Sequence, residues 1–212
     1  MTIEEIIRAV QGKLGVDVDG KAGPQTWAAI HRAIVGRVPP AQVRKVADTL
    51  AVAGDEADTR SEKAIATLHA RVKPYARALV TAARQQGVII KILSGTRSVE
   101  EQAELYRRYK AGGALAAPPG RSNHNYGIAF DIGVFTGSLE PEKAKVYQPE
   151  SGAYDLVGGL AGTIGLSWGG HWKSAKDKPH YELRPAWANA LSESAMVTEL
   201  ARRREKGIDP FG

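Results

Sequence analysis

The residues best suited to chemistry lie after position 120. The 212-residue chain has only five histidines, and His124, His171 and His180 fall there in polar, glycine-rich surroundings. His124 stands seven positions before Asp131 in Ser122-Asn123-His124-Asn125-Tyr126-Gly127-Ile128-Ala129-Phe130-Asp131. On an unbroken strand an odd separation puts two side chains on opposite faces. Gly127 offers the bend that can turn both toward one point. His180 follows in Asp177-Lys178-Pro179-His180. Pro179 pushes Lys178 toward an extended backbone, so Asp177 and His180 are no helical pair. Two imidazoles and one carboxylate are the donor set of a catalytic zinc site whose fourth position stays open for water. Asp177 remains as an unliganded carboxylate able to manage protons. A lone histidine is usually structural, and His31 and His69, in helical patterns, take that reading.

The elements that must position these groups are read from periodicity. Ile3, Ile6, Ile7, Val10 and Leu14 predict a helix over 2–14, ended by Gly15. A tight polar loop, Asp17 to Gly23, precedes a second apolar stripe from Trp27 to Ile34 that opens at Pro24. Residues 41–53 read as helix and 54–59 as linker. Ser61 is the expected cap of a helical region running to Gln86, stopped by Gly87. Strands are expected over 88–93, 127–135, 166–168 and 180–183. Ser98 and Glu101 form a capping box opening a helix to about Lys110. Residues 151–166 read as a glycine-rich helix, and a final helix is expected to follow Pro185 with Leu191, Ala195 and Leu200 on its apolar side. Helices and short strands mix without regular βαβ alternation, which predicts α+β, not a parallel α/β sheet.

Composition narrows the class. Hydrophobic residues make up 43% and charged residues 25%, the balance of an ordinary globular chain. No apolar run approaches the ~18 residues of a membrane span. The absence of cysteine excludes disulfides, thiolate metal sites and a cysteine nucleophile. The acidic start, Met1-Thr2-Ile3-Glu4-Glu5, lacks the basic and apolar segments of a secretory signal. Residues 1–60 balance their charges, so the whole net +6 falls on residues 61–212. Such a surface suits an anionic polymer or plain solubility. The basic residues form no aromatic-interleaved patch, which argues against nucleic acid as a partner.

Two stretches resemble known families. Asp19-Gly20-Lys21-Ala22-Gly23-Pro24-Gln25-Thr26-Trp27 resembles the loop of the small helical peptidoglycan-binding domain, which implies Asp19, Gly20, Gly23, Thr26 and Trp27 as wall contacts. The alternative is a helix–loop–helix with a capping loop. The pattern Ser-x-His-x-x-Gly-x-Ala-x-Asp, then Trp-Gly-Gly-x-Trp and Asp-x-Pro-His-Tyr, resembles the zinc D-alanyl-D-alanine carboxypeptidase family, whose phage branch consists of L-alanyl-D-glutamate endopeptidases. The likeness extends to Ser94-Gly95-Thr96-Arg97-Ser98, Gln102 and Leu105-Tyr106 and spans roughly 61–184.

The resemblance implies a hedgehog-like α+β domain, His124, Asp131 and His180 as zinc ligands, Asp177 as general base then acid, and Arg97 as binder of a substrate carbonyl or carboxylate. Ser122 is expected to bond backbone or substrate near the metal, with a plain loop-turn serine as the alternative. Glu182, two residues after His180, is read as supporting or structural and not as a ligand. The family usually carries an aspartate where this chain has His171. Trp168, His171 and Trp172 are candidate substrate contacts, with packing or an exposed loop as the alternative; for His171 a fourth metal ligand is a further reading. The expected organisation is a wall-binding unit over 1–40, a helix and linker over 41–60, a zinc peptidase over 61–190 and a C-terminal helix and tail over 191–212. Arg202-Arg203-Arg204 suit either the helix dipole or anionic wall polymers. The function expected is a monomeric endolysin of bacterial peptidoglycan, made without a signal peptide and acting at the wall or periplasm. The alternatives are a D,D-carboxypeptidase of wall remodelling and a non-catalytic wall-binding protein.

Overall fold

The computed structural model describes residues 2–14, 18–20, 57–173 and 175–212. The chain divides into two compact units, Met1–Val46 and Ala47–Gly212. In the first, helix α1 (Ile3–Leu14) is followed by a loop whose described residues are tied back to it. The buried Gln11 amide donates to Asp19 Oδ1 at 2.7 Å and accepts the Gly20 N–H at 2.9 Å. Asp19 and Gly20 therefore shape the loop. Gly23, Thr26, Trp27 and His31, with the elements expected over 24–53, lie outside the described residues.

The second unit begins with α2 (Thr59–Thr67) and α3 (Lys73–Gln85). Its five-stranded antiparallel sheet comprises β1 (Ile89–Ser94), β2 (Ala129–Thr136), β3 (Val146–Tyr147), β4 (Ser167–Trp168) and β5 (His180–Glu182). Helices α4 (Val99–Lys110), α5 (Ala153–Ile164) and α6 (Glu193–Glu205) complete it. The strand order is β1-β2-β5-β4, and β3 pairs with the far end of β2. The α+β class follows directly.

Alternation sorts the sheet's two faces. Phe130, Ile132 and Val134 of β2 and Tyr181 of β5 join Leu79, Val157 and Ala161 in the main core against α3 and α5. Phe130 and Tyr181 stack at 5.9 Å, and burying each such ring contributes roughly 1.5–3 kcal/mol. Their neighbours Asp131, His180 and Glu182 take the opposite face.

Several elements differ from expectation. The helical region expected over 61–86 is two helices, and its cap is Asp58, whose carboxylate accepts the Arg60 and Ser61 N–H groups. The chain turns extended at Leu68 and restarts at a proline-bearing first turn. His69 thus sits in the break, not on a helix; its N–H reaches the Gly127 carbonyl at 3.0 Å and its Nε2 pairs with Asp209. Pro185 opens only a 3₁₀ turn, Ala186–Ala188. The last helix starts later, at Ser192, which accepts the Ala195 N–H. Its buried side is Met196, Val197 and Leu200, while Leu191 precedes it and is exposed. Met196 and Leu200 pack on Ile128 and Ala188, so α6 belongs to the same compact unit as the sheet. Arg202 and Arg203 both pair with Glu199, and Arg203 also lies 4.4 Å over Trp187.

Candidate metal centre

Sheet register brings the first two groups together. Asp131 is the direct cross-strand partner of His180 on one side and of Ser94 on the other, where a bulge between Ile92 and Ser94 shifts the β1 register. His124 arrives from a 3₁₀ turn, Asn123–Tyr126, ended by Gly127 at φ 69°. That left-handed residue makes the bend between histidine and strand. A Cβ there would meet the His69 backbone nitrogen at 3.1 Å, so glycine is needed for space as well as angle.

The turn is clamped onto the β1–α4 loop. His124 Nδ1 donates to the Gly95 carbonyl at 2.7 Å, and the Arg97 N–H donates to the His124 carbonyl at 3.1 Å. Asn125 Nδ2 donates to the carbonyls of Arg97 and Ser98. Ser122 closes the turn through its carbonyl, which accepts the Asn125 N–H at 2.9 Å.

Among the described residues, His124, Asp131 and His180 form a group able to hold a metal ion, with one donor atom from each lying within 4.8 Å of the others. The hydrogen bonds select the atoms. His124 spends Nδ1 on Gly95, and its Nε2 faces Asp131 Oδ1 at 3.2 Å. His180 spends Nε2 on Glu182 Oε2 at 3.2 Å, and its Nδ1 faces Asp131 Oδ1 at 3.5 Å. Each imidazole thus turns one nitrogen to a common point while its other nitrogen is held from behind, the usual support of a metal-bound histidine.

The electrostatics favour a cation there. Burial acts to raise the Asp131 carboxyl, but the adjoining His124 and His180 outweigh it and hold the group well below the usual carboxylate range. Burial disfavours charge on His180, but hydrogen bonds to Asp131 and Glu182 prevail and push the ring upward. Asp177, half-buried, is pushed up by burial and then by the Asp131 charge. Its N–H donates to the Gly169 carbonyl and its carbonyl accepts the His180 N–H, each at 3.2 Å, which fixes its backbone next to His180.

Arg97 is engaged from three sides. Its NH2 donates to Asp131 Oδ2 at 2.8 Å, NH1 to Gln102 Oε1 at 2.9 Å, and Nε to Ser94 Oγ at 3.3 Å. Gln102 is buried and passes its own amide N–H to the Ala117 carbonyl; Leu105 and Tyr106 are half-buried on the same helix.

The aromatic residues divide. Trp172 is half-buried and lies 4.9 Å from the His180 ring. Trp168 pairs with Tyr181, on the core face, and is 8% exposed. Its Nε1 donates to the Lys178 carbonyl at 2.8 Å, so it braces the segment between Asp177 and His180 from behind. Its ring packs in the core and also borders a cavity of about 900 Å³ shared with His171, Trp172, Lys173 and Arg184. His171 is exposed and set edge-on to Trp168.

Sequence reasoning missed Asn125, and Asn123, whose amide nitrogen donates to Glu182 and to Glu193; it missed Glu193 too. The two asparagines flank His124, a local signal that polar side chains hold the turn. Glu193 carries none, because its partner is far away in the chain. No described helix is long and apolar enough to cross a membrane.

With this geometry in view, similarity to known proteins becomes informative. Residues 116–183 match the family described as D-alanyl-D-alanine carboxypeptidase. The peptidoglycan L-alanyl-D-glutamate endopeptidase CwlK of Bacillus subtilis (strain 168) is 40% identical over 125 residues, covering 56% of this chain and 74% of that protein. The chain belongs to the D-alanyl-D-alanine carboxypeptidase family. All three donor residues, together with Asp177, fall within the matched segment. Among solved structures, the Serratia marcescens L-Ala D-Glu endopeptidase ChiX is 21% identical, with 62% of this chain and 92% of that chain covered and a TM-score of 0.43. The Zn(II) complex of a vancomycin-resistance D,D-pentapeptidase, VanY, is also 21% identical, with 68% and 81% covered and a TM-score of 0.42.

Proposed function

We propose that this family member is a zinc-dependent peptidase of bacterial peptidoglycan that cuts the L-alanyl-D-glutamate bond of the stem peptide, in the role of a phage or prophage endolysin. The observation that carries the reading is the convergence of His124 Nε2, Asp131 Oδ1 and His180 Nδ1, with Asp177 near enough to feel the charges of all three residues. Two nitrogens and one oxygen, without thiolate, fit zinc with a position left open. The B. subtilis relative supports the substrate and the bond.

His124, Asp131 and His180 would hold the zinc, which when bound would supply the Lewis acidity that polarises a carbonyl and acidifies a water. The protein's own groups do the rest. The Asp177 carboxylate takes the proton of the attacking water and returns it to the leaving amine nitrogen. Its raised affinity for a proton suits a group that must carry one between two steps. Arg97 keeps two N–H bonds beyond its three contacts. It holds Asp131 in orientation and offers those donors to the substrate carbonyl or carboxylate. Trp172 and His171 are proposed to flank the peptide, and Ser122 to line its entrance. The Met1–Val46 unit is proposed to anchor the enzyme to the wall, with the enzyme acting there as a monomer.

The test is digestion of purified peptidoglycan by zinc-restored protein, with fragments read by mass spectrometry. Stem peptides beginning at D-glutamate are the expected product. Loss of terminal D-alanine alone would reassign the bond, and no fragment at all would overturn the reading.

A further inference from the structure

Asn123 is placed where the metal centre's two histidine-bearing segments meet. It immediately precedes His124 on the 3₁₀ turn, and it is buried. Its amide nitrogen donates to Glu182 Oε2, the oxygen that also faces His180 Nε2, and to Glu193 Oε1 in the first turn of α6. One NH2 group thus serves two carboxylates, one behind a candidate ligand and one on a helix far away in sequence. Only the donor side of an amide can lie between two carboxylates. That orientation leaves Asn123 Oδ1 without a hydrogen-bond partner. Arg184 completes the ring, with NH1 at 2.9 Å from Glu193 Oε2 and 3.4 Å from Glu182 Oε1.

We infer that Asn123 and Glu193 are positioning residues for the metal centre, which set the spacing of His124 and His180 by linking the turn, β5 and α6 through Glu182. The inference rests on the zinc reading above. Glu182 is 2% exposed at its side chain, and its carboxylate is met by Asn123, His180 and Arg184, so its place depends on this ring. If Asn123 is lost, the turn carrying His124 and the strand carrying His180 lose their direct side-chain tie. If Glu193 is lost, Glu182 is the one carboxylate left to Asn123 Nδ2 and Arg184 NH1, which weakens its hold on His180. Helix α6 is in this way part of the metal centre and not an appendage to it.

The experiment measures zinc affinity of the full chain by competition with a chromophoric chelator, together with the visible spectrum of the cobalt-substituted protein. The proteins are the parent, Asn123→Ala, Glu193→Ala, Glu182→Gln and Thr198→Ala. Thr198→Ala removes a different α6 contact, the one with Arg121. Supporting residues behind metal ligands are typically worth about 10–100-fold in metal affinity. We expect Asn123→Ala and Glu182→Gln to fall in that range and Glu193→Ala near about tenfold, its low end. Each should shift the cobalt bands, while Thr198→Ala should match the parent in both readouts. Circular dichroism at the assay temperature establishes that each variant is folded. Glu193 is 44% exposed, so its variant carries the test if Asn123→Ala does not fold. Parent-like affinity and cobalt spectrum in folded Glu193→Ala and Asn123→Ala would overturn the inference. A parent that binds no zinc would instead overturn the reading on which it rests.

Discussion

Trp168 offers a quantitative link between packing and catalysis. An ideal Cβ on Gly158 of α5 would lie 2.3 Å from the Trp168 ring, and one on Gly170 would lie 2.2 Å from it. Gly158→Ala therefore requires the ring to retreat by about 1 Å to reach ordinary contact. Overpacking of this kind costs about 1–3 kcal/mol. Alanine in place of a mid-helix glycine returns about 1 kcal/mol. The net loss is then about 0–2 kcal/mol, and at roughly 2–4 °C per kcal/mol the melting temperature falls by about 0–8 °C. The larger consequence is for rate. Trp168 Nε1 holds the Lys178 carbonyl at 2.8 Å, between Asp177 and His180. A displacement near 1 Å at reacting groups can cost about 100-fold. Gly162→Ala is the matched control, because nothing lies within 4 Å of its Cβ position on the same helix. It should raise the melting temperature by about 2–4 °C and leave peptidoglycan cleavage unchanged. Scanning calorimetry and a dye-release assay measure both effects. If Gly158→Ala behaved like Gly162→Ala in both, Trp168 would not be the brace described.

Three further outcomes are expected. Asp177→Asn should bind zinc as the parent does and lose about 10²–10⁴-fold in rate, a loss that steady-state hydrolysis would reveal. Folding raises the Asp177 carboxyl above its unfolded value, so it favours the protonated form, and the ionised form opposes folding at neutral pH. In metal-free protein Asp177→Asn should therefore melt higher than the parent at pH 7. This advantage should shrink as pH falls through the raised value and vanish below about pH 3.9, as melting curves against pH would show. Removing residues 1–46 should weaken pull-down by insoluble peptidoglycan yet spare cleavage of a small soluble muropeptide, and equal pull-down would remove the anchoring role.

What could be read from sequence was local. The capping box of Ser98 and Glu101 and the bend at Gly127 depend on residues a few positions apart, and both are present. The break between α2 and α3 went unread although Pro74 stands in the first turn of α3, and the stabilising contact, His69 N–H to the Gly127 carbonyl, joins distant segments. Strand β3 is two residues long, too short for any alternation to register. The donor types His124, Asp131 and His180 were legible as a set, whereas the register that makes Asp131 and His180 cross-strand partners was not. For the same reason Trp168 gave no hint of which face it takes. Glu182 could be placed on the His180 face by its spacing of two, but its ring with Asn123, Glu193 and Arg184 spans some 70 positions and needs the folded chain.

The central claim is that one zinc, held by His124, Asp131 and His180, enables peptidoglycan cleavage. Titrating zinc into chelator-stripped protein while following release of labelled peptidoglycan fragments tests it most directly. Activity should be absent at the start, rise linearly and level off at one zinc per chain, with no rise in His124→Ala or His180→Ala. Full cleavage by the stripped protein, or the same titration curve in His180→Ala, would contradict the account.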